Sequence, residues 1–175
     1  HQDGHSHLMA MTNPAIRAWD PAFAYELATI IRHGIGEMCT DDKDVIHYIT
    51  VYNENHSMPA KPKGVDEGIV RGLYLLSGKK NADVRLIGSG PIMLQVQRAA
   101  EMLSELDISC EIWSATSYGE LRRDAAASER WNRLHPGEKS RSSWVADHLD
   151  DSVGTTLAVS DNMMAVPDLI RQWVG

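Results

Sequence analysis

Cysteine is scarce in this sequence. Cys39 and Cys110 are the only two among 175 residues, and neither stands at the spacing of a zinc-ligand pair. Two cysteines allow one disulfide at most, which excludes a disulfide-rich scaffold. Their scarcity favours a reducing, cytoplasmic setting.

The sequence also lacks a net positive charge and long apolar runs. The formal net charge of −7 excludes the global basic footprint of a nucleic-acid-binding protein. No apolar run approaches the roughly 20 residues that a helix needs to cross a bilayer. We therefore expect neither nucleic acid nor a membrane as a partner. With 43% hydrophobic residues, the chain can bury a substantial core.

The two ends suggest a piece of a larger protein. The chain starts with His1, inside what resembles a loop, and Trp173 and Val174 still follow an apolar helical pattern at the other end. We therefore expect further chain on both sides.

The interior alternates helices and strands. Asp20 is a candidate N-cap with Pro21 at the first helical position, and apolar spacing predicts a helix over about 21–37. Strands are predicted over 45–52, 69–76, 84–87, 108–113 and 155–159, and further helices over 91–106, 121–133, 144–149 and 166–174. This order predicts an α/β fold with a mainly parallel sheet.

The first seven residues are the most unusual feature. His1, His5 and His7 surround Asp3, so the stretch has the side chains of a transition-metal site, although its spacing fits no strong family pattern. A substrate-facing loop is favoured over a metal site, since imidazoles exchange protons near neutral pH. A polar surface loop is the third possibility.

Two weaker motifs follow predicted strands. Gly88-Ser89-Gly90 precedes a helix, where a glycine turn can cradle phosphate, but Met93 occupies the place of the third fingerprint glycine. We expect these glycines to permit a tight turn instead. Glu54 and His56 have the chemistry of an acid–base pair, although a solvated polar loop is the simpler interpretation.

Seven stretches resemble, in the same order, the homodimeric bacterial pyruvate dehydrogenase components. They are HQDGHSH at 1–7, DPAFAYE at 20–26, YITVYNEN at 48–55, MPAKPKG at 58–64, LIGSG at 86–90, SATSYGELRRD at 114–124 and ERWNRLHP at 129–136. The first stretch also resembles the E-D-G-P-T-H loop of transketolases. Asp3, Gly4 and His7 match that loop, whereas His5 and Ser6 differ from it.

The resemblance implies a transketolase-like architecture. Residues 1–58 would be the end of a thiamine pyrimidine-binding domain, 59–65 a linker, and 66–175 most of a transketolase C-terminal-like domain. The proline- and glycine-containing composition of 53–64 is independently typical of a linker. The family continues for another strand and helix after the position of Gly175.

The resemblance also implies an activity. The family enzymes are homodimers that use thiamine diphosphate and magnesium to decarboxylate pyruvate, and they pass the acetyl group to lipoyl groups of dihydrolipoyl acetyltransferase. His1 matches an active-site histidine of the family and His7 a substrate-contacting histidine of transketolases. Together with Asp3, they are the expected catalytic residues.

This chain lacks the family's magnesium–diphosphate motif and its cofactor-activating glutamate. We therefore expect the 175 residues alone to hold no cofactor or metal and to be inactive. Two other functions stay open: a non-catalytic dimerisation or assembly module of transketolase C-terminal type, and a metal-dependent hydrolase that uses His1, His5 and His7.

Overall fold

The structure is a computed structural model that describes residues 4–79, 82–150 and 154–175. Its helices are α1 (Ser6–Ala10), α2 (Ala24–Ile35), α3 (Asp66–Arg71), α4 (Met93–Ser104), α5 (Tyr118–Leu134) and α6 (Trp144–His148). Its strands are β1 (Ile16–Trp19), β2 (Ile46–Ile49), β3 (Tyr74–Ser77), β4 (Val84–Gly88), β5 (Cys110–Ser114) and β6 (Thr155–Val159). A π-helix at Gly36–Thr40 extends α2, and 3-10 helices lie at Gly90–Ile92 and Pro167–Trp173.

The strands form two sheets. In the first, β1 and β2 pair in parallel. In the second, the order is β3-β5-β4-β6, with β3 antiparallel to β5 and the other neighbours parallel. The predicted α/β class with a mainly parallel sheet is therefore confirmed.

Three apolar clusters form the core. One packs α5, α6 and the last 3-10 helix against β4 and β5, and its fully buried members include Leu121 and Val145. A second packs α4 on β4 and β5 around Met93 and Val96. The third lies between the two sheets, where Trp19 and Ile30 meet residues of α3 and β3. Helices on both sides bury the central strands β4 and β5 of the second sheet, whereas the edge strand β6 is largely exposed.

Several predicted boundaries were wrong for local reasons. The helix predicted from 21 begins only at Ala24, and its N-cap is Phe23 rather than Asp20. The carboxylate of Glu26 accepts from the backbone N–H groups of Ala22 and Phe23, so Asp20 is not needed there. The strand predicted over 69–76 begins in α3. It becomes extended only after Gly72, whose φ of 99° ends that helix.

Two short elements, α1 and β1, were not predicted, since each offers at most five residues of pattern. Long-range contacts hold β1 instead. Arg17 pairs with Glu120 at 2.8 Å, and the hydroxyl of Ser117 donates to the carbonyl of Ala18 at 2.6 Å. The guanidinium of Arg123 donates to the carbonyls of Pro14 and Ile16 at 2.8 and 2.9 Å. These contacts hold the first sheet against α5, which packs on the second sheet.

The buried carboxylate of Glu26 provides a second set of contacts, between α2 and the second sheet. It lies on α2 with 0% exposure and accepts from the hydroxyls of Tyr74 and Ser114, each at 2.6 Å. Tyr74 belongs to β3 and Ser114 to β5, so one side chain of α2 binds two strands of the second sheet. Burial raises the pKa of Glu26, and these hydrogen bonds oppose that effect.

Removing this carboxylate should destabilise the whole fold. Glu26→Ala leaves two buried hydroxyls and two N–H groups without their acceptor, so we expect the free energy of unfolding to fall by about 3 kcal/mol. Urea unfolding followed by circular dichroism measures this loss. The control is Glu105→Ala, at an exposed residue that follows α4, which should change stability by less than about 0.5 kcal/mol. Equal effects of the two substitutions would contradict the fastening role of Glu26.

Candidate functional site

Polar residues of both sheets meet at the carboxyl ends of four parallel strands. Asp20 follows β1, Thr50 to Tyr52 follow β2, Ser89 and Gly90 follow β4, and Ser160 to Asn162 follow β6. Loops at the carboxyl ends of parallel strands are where α/β proteins place their ligand sites. We call the residues Asp20, Thr50, Tyr52 and Asn162, together with His7, the junction cluster.

Asp20 is the centre of the junction cluster. It is 4% exposed, and one of its carboxylate oxygens, Oδ1, accepts from the hydroxyls of Thr50 at 2.6 Å and Tyr52 at 3.2 Å. Its other oxygen, Oδ2, accepts from the amide of Asn162 at 3.3 Å. These donors offset the cost of burying a carboxylate. One side chain therefore holds the ends of strands from both sheets.

Two neighbours experience the negative charge of Asp20. Burial raises the pKa of Asp161, and the nearby carboxylate of Asp20 raises it further. The pKa of the Tyr118 phenol is also raised, first by burial and then by Asp20. The junction therefore disfavours additional negative charge.

His7 is the predicted site residue that the structure describes fully. It lies in α1, is 5% exposed, and its Nε2 atom is 3.5 Å from the hydroxyl oxygen of Thr50. The edge of Tyr48 packs against its ring at a centroid distance of 5.7 Å. His7 is therefore buried beside Thr50, a neighbour that the sequence did not indicate.

His1 and Asp3, the other two predicted catalytic residues, lie outside the described residues. The chain that follows them is fastened to the junction, because the carbonyl of Gly4 accepts from the backbone N–H of Met163 at 2.8 Å. Met163 is next to Asn162 of the junction cluster.

The metal hypothesis gains no support. His5 is exposed whereas His7 is buried, so the two rings lie in different environments. Among residues 4–79, 82–150 and 154–175, no group of three or more His, Cys, Asp or Glu side chains is arranged to hold a metal ion.

The Gly-Ser-Gly turn has a structural role. Gly90 has a φ of 55°, which favours glycine, and an added Cβ there would lie 2.8 Å from a carboxylate oxygen of Asp20. The same carboxylate would repel a phosphate at this turn. The structure therefore supports the tight-turn interpretation over phosphate binding.

Glu54 and His56 line a small cavity of about 120 Å³ beside Thr50 and Tyr52. Ligand pockets usually have several hundred cubic ångströms, so this space is small for a substrate. His56 Nε2 lies 3.4 Å from the carbonyl of Ala22, which gives that ring a structural hydrogen-bond partner.

The sequence did not reveal a second cluster, which lies behind the first sheet. Glu37 of the π-helix accepts from Lys43 at 3.1 Å and contacts the Nε2 atoms of His33 and His47 at 3.2 Å each. The indole N–H of Trp19 donates to Nδ1 of His47 at 3.0 Å. Gly34 makes room for this ring, since a Cβ there would meet it at 3.0 Å. The i,i+4 spacing of His33 and Glu37 was the available signal.

The geometry of this cluster indicates a structural role. Because Trp19 donates to Nδ1, neutral His47 carries its hydrogen on Nε2 and donates it to Glu37. That nitrogen cannot ligate a metal while it is protonated. Burial lowers the pKa of His47, against the opposing effect of Glu37.

Acid should therefore destabilise the fold in part through His47. With its pKa lowered in the folded state, His47 binds a proton more readily when unfolded, so its contribution to stability is present above about pH 6.5 and is lost as the pH falls below that value. The carboxylate of Glu37, whose pKa is lowered, acts in the same direction below about pH 4.5. We expect His47→Gln to lose less stability than the wild type between pH 7 and pH 5. Denaturant unfolding across this range measures the difference.

His5→Gln is the matched control, because His5 is exposed in the same chain. It should keep the wild-type dependence on pH. A wild-type slope in His47→Gln would exclude His47 as a source of the acid sensitivity.

Within the described part of the chain, no helix is long and apolar enough to cross a membrane.

Residues 1–59 match the family model of the pyruvate dehydrogenase E1 component middle domain, and residues 72–175 match that of the transketolase-like C-terminal domain. The chain is similar to the pyruvate dehydrogenase E1 component of Pseudomonas aeruginosa, with 49% identity over 99% of this chain and 20% of that protein. It is also similar to the Escherichia coli K12 protein of the same name, with 40% identity and the same two coverages. The chain thus spans about a fifth of these relatives.

Solved transketolases have a similar fold. A Pichia stipitis transketolase mutant, R525L, superposes on 98% of this chain and 25% of its own with a TM-score of 0.59 and 14% identity. The Leishmania mexicana transketolase also gives a TM-score of 0.59, with the same coverages and 10% identity.

Proposed function

Because this chain belongs to the transketolase-like family, and is similar over nearly its whole length to bacterial pyruvate dehydrogenase E1 components, we propose that it is part of such an enzyme. The full-length enzyme would decarboxylate pyruvate oxidatively and transfer the acetyl group to lipoyl groups of a dihydrolipoyl acetyltransferase. The observation that supports this most directly is 49% identity across 99% of the chain.

The proposed domain division has residues 1–58 at the end of a pyrimidine-binding domain, 59–65 as a linker, and 66–175 as most of a C-terminal domain. The ranges of the two family models, 1–59 and 72–175, support it. The strand pairing also supports this division, since β1 and β2 pair with each other and β3 to β6 form the second sheet. The contacts of Glu26 and Asp20 then join the two domains.

The described residues do not fit the diphosphate and magnesium of the cofactor. No group of three or more His, Cys, Asp or Glu side chains among them is arranged for a metal, and the glycine turn faces the carboxylate of Asp20. In the proposed enzyme, thiamine diphosphate and magnesium are held by parts that precede this chain. The cofactor supplies the carbon chemistry, and the protein orients it and moves protons.

The proposed task of this chain is to border the reacting atoms with its first seven residues. His1 and His7 would donate to an oxyanion as it develops, because an imidazole gains and loses protons near neutral pH. Asp3 would orient its neighbours in the same loop. The buried position of His7 in the junction cluster supports this role, since a packed imidazole is held in one orientation.

The remaining parts of the proposal concern the enzyme's surroundings. We propose a homodimer in the cytoplasm, with pyruvate as the substrate. Cys39 and Cys110 are both free thiols, which is compatible with a reducing compartment.

The test uses the full-length enzyme that contains these residues, beside the 175-residue chain. We expect only the full-length enzyme to bind thiamine diphosphate with magnesium in a calorimetric titration, and to release carbon dioxide from pyruvate. His7→Ala should lower kcat by about 100-fold, as loss of a proton-transferring group does. His135→Ala is the control, since its ring stacks on Trp131 near the end of α5, and it should keep wild-type activity.

A full-length enzyme that neither binds the cofactor nor decarboxylates pyruvate would overturn the proposal. A stable oligomer without cofactor binding would then favour the assembly-module alternative.

A further inference from the structure

Asp20 links three loops that are remote in sequence. Its carboxylate accepts from Thr50 and Tyr52 after β2, and from Asn162 after β6. Gly90, after β4, donates its backbone N–H to the carbonyl of Asp20 at 3.0 Å. The position of Asp20 is therefore determined by both sheets.

The hydroxyl of Thr50 contacts both the carboxylate of Asp20 and the ring of His7. A hydroxyl has one hydrogen, and Thr50 Oγ1 lies 2.6 Å from the carboxylate of Asp20 but 3.1 Å from the carbonyl of Trp19. The shorter contact to the charged group takes the hydrogen. The lone pairs of Thr50 then face His7 Nε2 at 3.5 Å, so the favourable partner there is an N–H.

We propose that Asp20 is a positioning residue that, through the hydroxyl of Thr50, holds His7 in the tautomer with its hydrogen on Nε2. In that tautomer the lone pair is on Nδ1, so a donation from His7 to an oxyanion at that nitrogen would follow protonation of the ring. The catalytic consequence rests on the function proposed above. The tautomer itself does not depend on that function.

The structure also explains how the second sheet takes part. Asn162 donates to Asp20, and the neighbouring Met163 donates its backbone N–H to the carbonyl of Gly4, three residues before His7. The segment after β6 therefore holds both Asp20 and the start of the histidine loop. Movement of this segment would displace both partners of Thr50 together.

The test compares three substitutions at two positions. Thr50→Val removes the hydroxyl with little change of shape, Thr50→Ser retains it, and Asp20→Asn removes the charge that orients it. Thr155→Val is the control, because Thr155 is an exposed residue at the start of β6. Urea unfolding establishes first that each variant is folded.

The first measurement is the imidazole ¹⁵N chemical shifts of His7 in the labelled full-length enzyme at pH 8, which distinguish the two neutral tautomers. We expect the Nε2–H form in the wild type, Thr50→Ser and Thr155→Val, and a mixture of tautomers in Thr50→Val and Asp20→Asn. If folded Thr50→Val retains the wild-type tautomer, or Thr50→Ser loses it, the proposal is overturned.

The second measurement is kcat and KM for pyruvate at saturating cofactor. A positioned proton-transferring group contributes about 100-fold or more, and loss of the hydrogen bond that orients it should cost less than loss of the group. We therefore expect about a tenfold fall in kcat for Thr50→Val with little change in KM, and recovery in Thr50→Ser. A purely structural role would lower stability and leave kcat per folded molecule unchanged, which would contradict the catalytic part. If the wild type does not decarboxylate pyruvate, the proposed function fails, and the tautomer measurement still decides the role of Asp20.

Discussion

The hydrogen bonds of one buried carboxylate, Glu26, hold the two layers of this fold together. Its side chain receives two backbone N–H groups at the start of α2 and two hydroxyls from β3 and β5. A carboxylate without exposure needs such donors, because leaving it unpaired would cost several kcal/mol. Since two donors come from the start of α2 and two from strands of the second sheet, the carboxylate holds α2 against that sheet.

Asp20 repeats this arrangement six residues earlier, at the carboxyl ends of the parallel strands. It too is a buried carboxylate whose donors come from separate strands, but its contacts lie where the loops of four parallel strands meet. Glu26 therefore holds α2 against the second sheet. Asp20 binds the hydroxyl of Thr50, which in turn contacts His7. Residues 20–26 thus include both the carboxylate that stabilises the packing of the two sheets and the one that positions Thr50 beside His7.

Much of the fold could be predicted from sequence, because strands such as β4 and β6 and helices such as α4 and α5 carry strong apolar patterns. The elements that were missed, α1 and β1, are short and are held by distant partners such as Glu120. In the site, the histidine stretch was noticed for its composition, whereas Asp20 was interpreted as a helix cap. Its actual partner Asn162 is 142 residues away, and no local pattern indicates a contact of that kind. Only Asn162 comes shortly after a predicted strand. Thr50 and Tyr52 lie inside the strand predicted over 45–52, and the strand before Asp20 was not predicted, so the sequence carried little signal for the cluster.

The central claim is that Glu26 couples the two layers energetically, and a double-mutant cycle between Glu26 and Ser114 tests it most directly. Urea unfolding of Glu26→Ala, Ser114→Ala and the double variant gives the coupling energy between α2 and β5. The hydrogen bond of 2.6 Å between these buried groups predicts a coupling of about 1–3 kcal/mol. Additivity of the two single changes within about 0.5 kcal/mol would mean that Glu26 does not couple α2 to β5, and would contradict the account.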